Sequence, residues 1–112
     1  MTTAYVPDRG DIVWLDFSPQ TGHEQAGKRP AIVISPMAYN IKVGLALFMP
    51  ITNQEKGYVF EIKLPDDLPI SGVILTDQMK SLDWKSRNAR RIGAVSTACY
   101  TEIIRKFSVL IA

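Results

Sequence analysis

Two short apolar runs, separated by a polar segment of a dozen residues, most constrain how this chain can fold. Residues 11–17 are rich in β-branched and aromatic side chains, and residues 30–35 are almost wholly apolar. Both compositions are typical of strands. The second is typical of a strand that is buried on both faces or that closes a small barrel. Residues 18–29, between them, are long for a connection inside a small domain, and such connections are often functional. We therefore expect two strands joined either by an active-site loop, which we favour, or by a solvated connection whose polar side chains face water.

Further short apolar runs predict more strands. Those at residues 45–51, 59–64 and 72–76 are expected to form strands three, four and five, and the third and fourth should pair as a hairpin through residues 53–57. One more short hairpin is expected near the C-terminal end, from residues 81–84 and 89–92.

Two helices are predicted from their start signals. Ser35 as N-cap and Pro36 at the first helical position favour one or two turns over residues 37–41, ending before Gly44. Ser96 can cap a final helix that packs on the strands, because apolar residues then recur at helical spacing: Ile103, Ile104, Phe107, Leu110 and Ile111.

Together these elements predict a mainly β fold with α-helices: a small, partly open β-barrel with one short internal helix and a C-terminal helix. The 112 residues, 46% of them hydrophobic, allow one domain with one core, spanning residues 1–112. Barrels of this kind place their chemistry on loops at the rim.

Composition excludes several classes of protein. A single cysteine, Cys99, cannot form an internal disulfide, and with one histidine in the chain a Cys/His zinc site is implausible, so we expect no metal and no cofactor. The sequence has neither an apolar run of about twenty residues nor a secretory signal, so we expect a cytoplasmic protein without a membrane partner.

The charge pattern leaves two readings open. Thirteen Lys and Arg against eleven Asp and Glu give a net charge of +2, too small a bias to identify a nucleic-acid binder. Residues 80–91 carry a local excess of four positive charges. They contain one anion, Asp83, and five cations: Lys80, Lys85, Arg87, Arg90 and Arg91. This basic strip is either a surface that faces phosphate or a solvated hairpin.

Polar side chains at predicted strand ends could assemble a site for RNA cleavage. Arg29 offers a fork of donors that matches phosphate oxygens, and Thr52 adds a hydroxyl donor. Glu24 could act as a base or hold Arg29 in place. Because His23 is the one histidine, a mechanism that uses two histidines within one subunit is excluded.

Other chemistries lack their motifs. The chain contains no G-x-x-x-x-G-K-[ST] or G-x-G-x-x-G phosphate loop and no G-x-S-x-G nucleophile turn. Asp66 and Asp67 are adjacent, so in an extended segment their side chains point in different directions, which argues against a shared metal site.

Four ordered motifs resemble those of the MazF/PemK/Kid toxins of bacterial type II toxin-antitoxin systems, and most of all the chromosomal MazF branch. They are the opening strand Gly10-Asp11-Ile12-Val13-Trp14-Leu15-Asp16-Phe17-Ser18-Pro19; the G-x-E-Q-x-G-x-R-P loop at Gly22-His23-Glu24-Gln25-Ala26-Gly27-Lys28-Arg29-Pro30; the P-x-T at Pro50-Ile51-Thr52; and the G-V-x-x-x-D-Q at Gly72-Val73-Ile74-Leu75-Thr76-Asp77-Gln78.

The resemblance implies an SH3-like barrel that forms a homodimer. It also implies a sequence-specific, metal-independent endoribonuclease that cuts single-stranded RNA to 2′,3′-cyclic phosphate and 5′-hydroxyl ends and so inhibits translation and growth. A cognate antitoxin would neutralise the toxin, and DNA would be contacted only indirectly, through the complex with the antitoxin.

The resemblance also suggests roles for individual residues. Arg29 and Thr52 match the family's central catalytic pair, and Glu24 matches a supporting acid. In the Kid branch an arginine two residues before the strand-five aspartate is catalytic, but Leu75 stands there in this chain, so Asp77 receives no primary catalytic role. Gln25, Asn53, Gln54 and Gln78 lie at positions where family members contact RNA. The further RNA contacts that we expect in this chain are His23, Lys28, Lys56, Asp77 and Lys80.

Two functions of other classes compete with this one. A toxin of similar fold could inhibit DNA gyrase by binding, as CcdB toxins do, but those end in a tryptophan-containing tip, whereas this chain ends Ser108-Val109-Leu110-Ile111-Ala112. The barrel could also be a binding module for RNA or protein without enzymatic activity. A short antitoxin-like reading frame immediately upstream would be unexpected for such a module.

Overall fold

The computed structural model of the protein describes residues 5–17 and 27–112. These residues form seven strands and two helices: β1 (Asp11–Phe17), β2 (Gly27–Val33), α1 (Met37–Val43), β3 (Ala46–Thr52), β4 (Glu61–Lys63), β5 (Val73–Leu75), β6 (Lys80–Leu82), β7 (Arg90–Ala94) and α2 (Thr97–Ile111). The mainly β class, the short internal helix and the C-terminal helix are therefore confirmed. Neither helix of the described part is long and apolar enough to span a membrane.

All strand pairs are antiparallel, and the strands follow one path in the order β4-β5-β3-β2-β1-β7, with β6 paired to β3 off this path. The path does not close on itself, since β4 and β7 end it. The expected partly open sheet is thus confirmed.

Both predicted hairpins are wrong. Strand β5 lies between β3 and β4, because residue Ile74 pairs with Ile51 on one side and with Ile62 on the other. Strand β6 pairs with the start of β3, and β7 pairs with β1. Trp84, between β6 and β7, is 6% exposed and packs into the core. The chain turns tightly after it, since the N–H of Ala89 donates to the carbonyl oxygen of Trp84 at 3.0 Å, but the flanking strands pair with β3 and β1 and not with each other.

The sheet buries apolar residues on both faces. Successive residues of β1 point to opposite sides, so Ile12 enters one cluster, with Ile32, Met49 and Ile103, while Val13 enters a second cluster. The second cluster also holds Leu15, Val33, Phe48 and Trp84. This two-sided burial explains why residues 31–33 of β2 are wholly apolar, whereas Gly27, Lys28 and Arg29, which were expected in the preceding loop, form the exposed beginning of the same strand.

Helix α1 occupies the predicted region, but its cap differs from the prediction. Pro36 is the N-cap residue and has no side-chain cap bond. Ser35 instead donates its hydroxyl to Asn40 Oδ1 at 2.5 Å and accepts the N–H of Leu47 at 2.9 Å. The buried amide of Asn40 thus competes for the hydroxyl that a cap would have used. Gly44, with φ +83°, ends the helix as expected.

Helix α2 begins at its predicted cap. The hydroxyl of Ser96 accepts the N–H of Cys99 at 3.1 Å, and Ile103 is fully buried. Leu110 and Ile111 were expected on the packed face, but they are 46% and 70% exposed. The apolar stripe that packs against the sheet ends at Phe107, because the last turn lies beyond the core cluster.

Candidate active site

The site lies where strands β2 and β3 separate. The two strands pair over only three residues each, 31–33 with 48–50, and β3 then takes β5 as its partner. Pro50 forms the last pair, with Ala31, and Pro30 is the next residue of β2, and neither proline has an N–H with which to continue the ladder. The strands therefore part at this point and leave a cleft between them.

The cleft has a volume of about 310 Å³. Strand β2 lines one side with an arginine that lies opposite Leu15 in the register with β1, and the end of β3 lines the other side with a threonine. The residues around the cleft are Gly27, Lys28, Arg29, Pro30, Ile51, Thr52, Asn53 and Ser71. Arg29 and Thr52, which are distant in sequence, thus share one small polar space.

The hydroxyl of Thr52 is oriented by its neighbour. Its Oγ1 accepts the backbone N–H of Gln54 at 3.1 Å. Because the oxygen is the acceptor in this bond, the hydroxyl hydrogen is not used by it and can be donated to another acceptor. Next to it, Ser71 donates its hydroxyl to Asn53 Oδ1 at 3.4 Å, which joins the segment before β5 to the end of β3.

A second pocket of about 140 Å³ adjoins the cleft, and Thr52 lines both. Its other residues are Gln54, Lys56, Tyr58, Glu61, Leu75 and Gln78. The carboxylate of Glu61 accepts the N–H of Lys56 at 3.0 Å and that of Gly57 at 2.8 Å, so it holds the loop after β3 in a fixed bend.

Tyr58 closes one side of this second pocket. Its hydroxyl donates to Asp77 Oδ1 at 3.2 Å, and the side chain is 37% exposed. Partial burial, together with the bond to Asp77, raises the pKa of Tyr58. The phenol is therefore protonated around neutral pH and can act as a donor beside an exposed aromatic ring.

Asp16 binds two polar side chains near the end of the paired region of β1 and β2. It accepts Asn88 Nδ2 at 2.8 Å and forms an ion pair with Lys28 Nζ at 3.1 Å. The hydrogen bonds from Asn88 and Lys28 lower the pKa of Asp16. Part of the charge of Lys28 is therefore balanced by Asp16, and the arginine beside it is the second cation that lines the cleft.

The basic strip lies along β6, the connection after it and β7. Arg91 pairs with Asp11 at 3.3 Å, and Arg87 donates to the backbone carbonyl of Asp16 at 3.4 Å. Both therefore bind strand β1, and neither is among the residues that line the two pockets described above. That this strip faces phosphate stays one of two hypotheses. Within residues 5–17 and 27–112, no group of three or more His, Cys, Asp or Glu side chains could hold a metal ion.

Comparison with known proteins identifies the family. The family model of the PemK-like, MazF-like toxins of type II toxin-antitoxin systems matches residues 8–111. The chain belongs to this family. It is 48% identical to the endoribonuclease toxin MazF of Escherichia coli K12 over 111 residues, which cover 99% of each chain. It is 35% identical to the endoribonuclease toxin ChpB of the same organism, over 93% of each chain.

A solved structure of the same family has the same fold. In a crystal structure of MazE-MazF from Deinococcus radiodurans, one chain matches the present one with a TM-score of 0.92 and 48% identity. The match covers 96% of this chain and 97% of the other.

The predicted site residues lie in four places. His23, Glu24 and Gln25 lie outside the described residues. Lys28, Arg29, Thr52 and Asn53 line the cleft, while Gln54, Lys56 and Gln78 line the second pocket. Asp77 accepts the bond from Tyr58, and Lys80 is exposed at the start of β6, opposite Phe48. The catalytic and RNA-binding roles of all of these residues stay predictions.

Sequence reasoning missed four residues that shape the two pockets. Ser71 and Gly72 precede β5, and both approach the end of β3. Tyr58 and Glu61 form part of the second pocket. The one signal in the sequence was Gly72 at the start of a strand, which indicates a close approach of backbones. Ser71 and Tyr58 act through contacts with distant segments, which no local pattern reveals, while Glu61 accepts the nearby N–H groups of Lys56 and Gly57.

Proposed function

We propose that the protein is a sequence-specific endoribonuclease toxin that cuts single-stranded mRNA and thereby inhibits translation and growth. The main support for this proposal is the cleft where β2 and β3 separate, because an arginine and a threonine both line it. Membership of a family with relatives named as endoribonucleases supports the same activity.

The chemistry we propose is transesterification at a phosphodiester. The 2′-hydroxyl of the substrate loses its proton and attacks the adjacent phosphorus, and the 5′-oxygen of the next nucleotide takes up a proton and leaves. The products are a 2′,3′-cyclic phosphate and a 5′-hydroxyl, and no metal ion takes part. Negative charge on the non-bridging oxygens rises in the transition state, so donors fixed around them lower the barrier.

Arg29 and Thr52 are proposed as those donors. A guanidinium presents two parallel N–H groups, which suit two oxygens of one phosphate, and it remains charged throughout the reaction. Thr52 contributes the hydroxyl hydrogen that its bond with Gln54 does not use. Glu24 is proposed as the base or as the carboxylate that orients the arginine. As a base at neutral pH it would need a pKa above the usual value of about 4.3.

The second pocket is proposed to guide the RNA strand beyond the cut phosphate. It shares Thr52 with the cleft, so a strand that places its phosphate there continues into the space beside Tyr58. Amide side chains of Gln54 and Gln78 can recognise the edges of bases, and an exposed aromatic ring can stack on a base. Both kinds of contact need unpaired bases, which favours single-stranded RNA. Further RNA contacts are proposed from His23, Gln25, Lys28, Asn53, Lys56, Asp77 and Lys80.

A cognate antitoxin and a second copy of the chain are the proposed protein partners. Solved relatives include complexes of MazF with MazE. We propose that a corresponding antitoxin neutralises this chain, which forms a homodimer, and that DNA is contacted only through the toxin-antitoxin complex. The mRNA substrate places the proposed activity in the cytoplasm.

The experiment that tests the proposal uses purified protein, single-stranded RNA and excess EDTA. Cleavage is expected to continue in EDTA, and the new 5′ ends should accept phosphate from a polynucleotide kinase without prior phosphatase treatment. Arg29→Ala is the matched control, and it should leave the fold unchanged while removing cleavage. Intact RNA with the wild-type protein, or fragments with 5′-phosphate ends, would contradict the proposal.

A further inference from the structure

The backbone of Gly72 lies directly against the backbone of Thr52. A Cβ atom built on Gly72 would lie 2.5 Å from the carbonyl oxygen of Thr52 and 3.0 Å from its carbonyl carbon. It would also lie 3.2 Å from Oδ1 of Asn53. Since carbon and oxygen atoms that are not bonded cannot approach to 2.5 Å, any side chain at position 72 must displace something.

Gly72 itself is held in place from the other side. Its carbonyl oxygen accepts the N–H of Leu64 at 3.0 Å, and Leu64 is 4% exposed. The next residue, Val73, pairs with Lys63 of β4 and with Thr52 of β3. The φ of Gly72 is +130°, a region that residues with a side chain rarely adopt. Gly72 and Val73 are thus bound to β4 as well as to β3, whereas Thr52 lies beyond the last pair of β3 with β2 and keeps strand pairing with β5 alone, so the end of β3 moves more easily.

We infer that Gly72 is a positioning residue of the catalytic site, because the absence of its side chain lets the end of β3 lie where Thr52 lines the cleft together with the arginine of β2. This inference rests on the proposed function and adds a residue that contacts no substrate. It predicts that a single methyl group at position 72 impairs catalysis through Thr52.

The size of the effect follows from the distances. To reach even 3.0 Å from the added carbon, the carbonyl oxygen of Thr52 must move by about 0.5 Å, and it carries the residue's hydroxyl with it. Misplacement of a catalytic group by about 1 Å can cost on the order of 100-fold in rate. For Gly72→Ala we therefore expect kcat to fall by about 10- to 100-fold. We expect KM for a short single-stranded RNA to change little, since the remaining contacts with the strand are kept.

Gly44→Ala is the matched control. Gly44 also has a positive φ, +83°, so alanine there introduces backbone strain too, but a Cβ at this position meets no heavy atom within 4 Å. It ends α1 and does not line either pocket. Gly44→Ala should therefore lose stability without losing kcat. The backbone amide of Thr52 should shift in the ¹H–¹⁵N spectrum of Gly72→Ala and not in that of Gly44→Ala.

The effect of Gly72→Ala on stability is separated from its effect on the position of Thr52 by measuring kcat per folded molecule. The folded fraction is taken from circular dichroism. If Gly72→Ala is partly or wholly unfolded in buffer, trimethylamine N-oxide is added, since it favours the compact state without removing the clash. A positioning role predicts that kcat per folded molecule stays low. Recovery of wild-type kcat per folded molecule, or an unchanged Thr52 amide, would overturn the inference. Failure of the wild-type protein to cut RNA would instead refute the proposed function, and the amide shift would still test the contact.

Discussion

Replacing the hydroxyl of Thr52 by a methyl group, in Thr52→Val, tests the role of this residue without changing its volume. Valine is β-branched like threonine, so the strand and its pairing with Val73 should be kept. The variant loses the acceptor for the N–H of Gln54, an exposed bond whose removal should cost about 0.5–1.5 kcal/mol of unfolding free energy. It also loses the donor proposed to face the phosphate.

The expected effect on catalysis is much larger than the effect on stability. Removing one preorganised donor to a transition-state oxyanion typically lowers kcat by about 10²- to 10³-fold, or about 2.7–4 kcal/mol. Thr52→Ser keeps the hydroxyl and should retain most of the activity. Cleavage of a fluorogenic single-stranded RNA in EDTA measures kcat for both variants, and urea titration measures their stability. A kcat for Thr52→Val within about threefold of wild type would refute a donor role for the hydroxyl.

Two further predictions concern the stability of the fold. Burial and the hydrogen bond to Asp11 raise the pKa of Tyr5 above its usual value near 10, so the unfolded chain loses its phenolic proton first, and stability falls as pH rises above about 10. Tyr5→Phe should flatten part of this fall in urea titrations at alkaline pH, and an unchanged slope would contradict it. Ile103→Ala, at a fully buried position, should cost about 2–5 kcal/mol of unfolding free energy, whereas Ile111→Ala, at a 70% exposed position, should cost less than about 0.5 kcal/mol. Equal losses in the two variants would show that α2 does not pack as described.

Local signals predicted most single elements of the fold. The β-branched and aromatic run of β1 gave its bounds, Asp11–Phe17, and Ser96 marked the start of α2 because an N-cap interaction involves only neighbouring residues. The pairing of the strands was not predictable in the same way. Whether β4 lies beside β3 or beside β5 depends on contacts between distant segments, such as the two pairs that Ile74 makes.

At the candidate site, too, local patterns predicted the individual residues but not the contacts between distant segments. Arg29 and Thr52 were selected by residue type and by family motifs, and the structure places both at one cleft. The cleft itself arises because β3 changes partner from β2 to β5, which no pattern within either segment indicates. The close contact between Gly72 and Thr52 results from that change of partner, so the distances between the two residues could not be derived from the sequence.

The measurement that tests the central claim most directly is the cleavage rate of Arg29→Lys. Lysine keeps the positive charge in the cleft but replaces the planar fork of donors by a single ammonium group. If the arginine binds two phosphate oxygens in the transition state, kcat should fall by about 100-fold or more, while the circular dichroism spectrum and the urea midpoint stay close to those of the wild type. Cleavage at a rate near that of the wild-type protein would contradict the assignment of the cleft between β2 and β3 as the catalytic site.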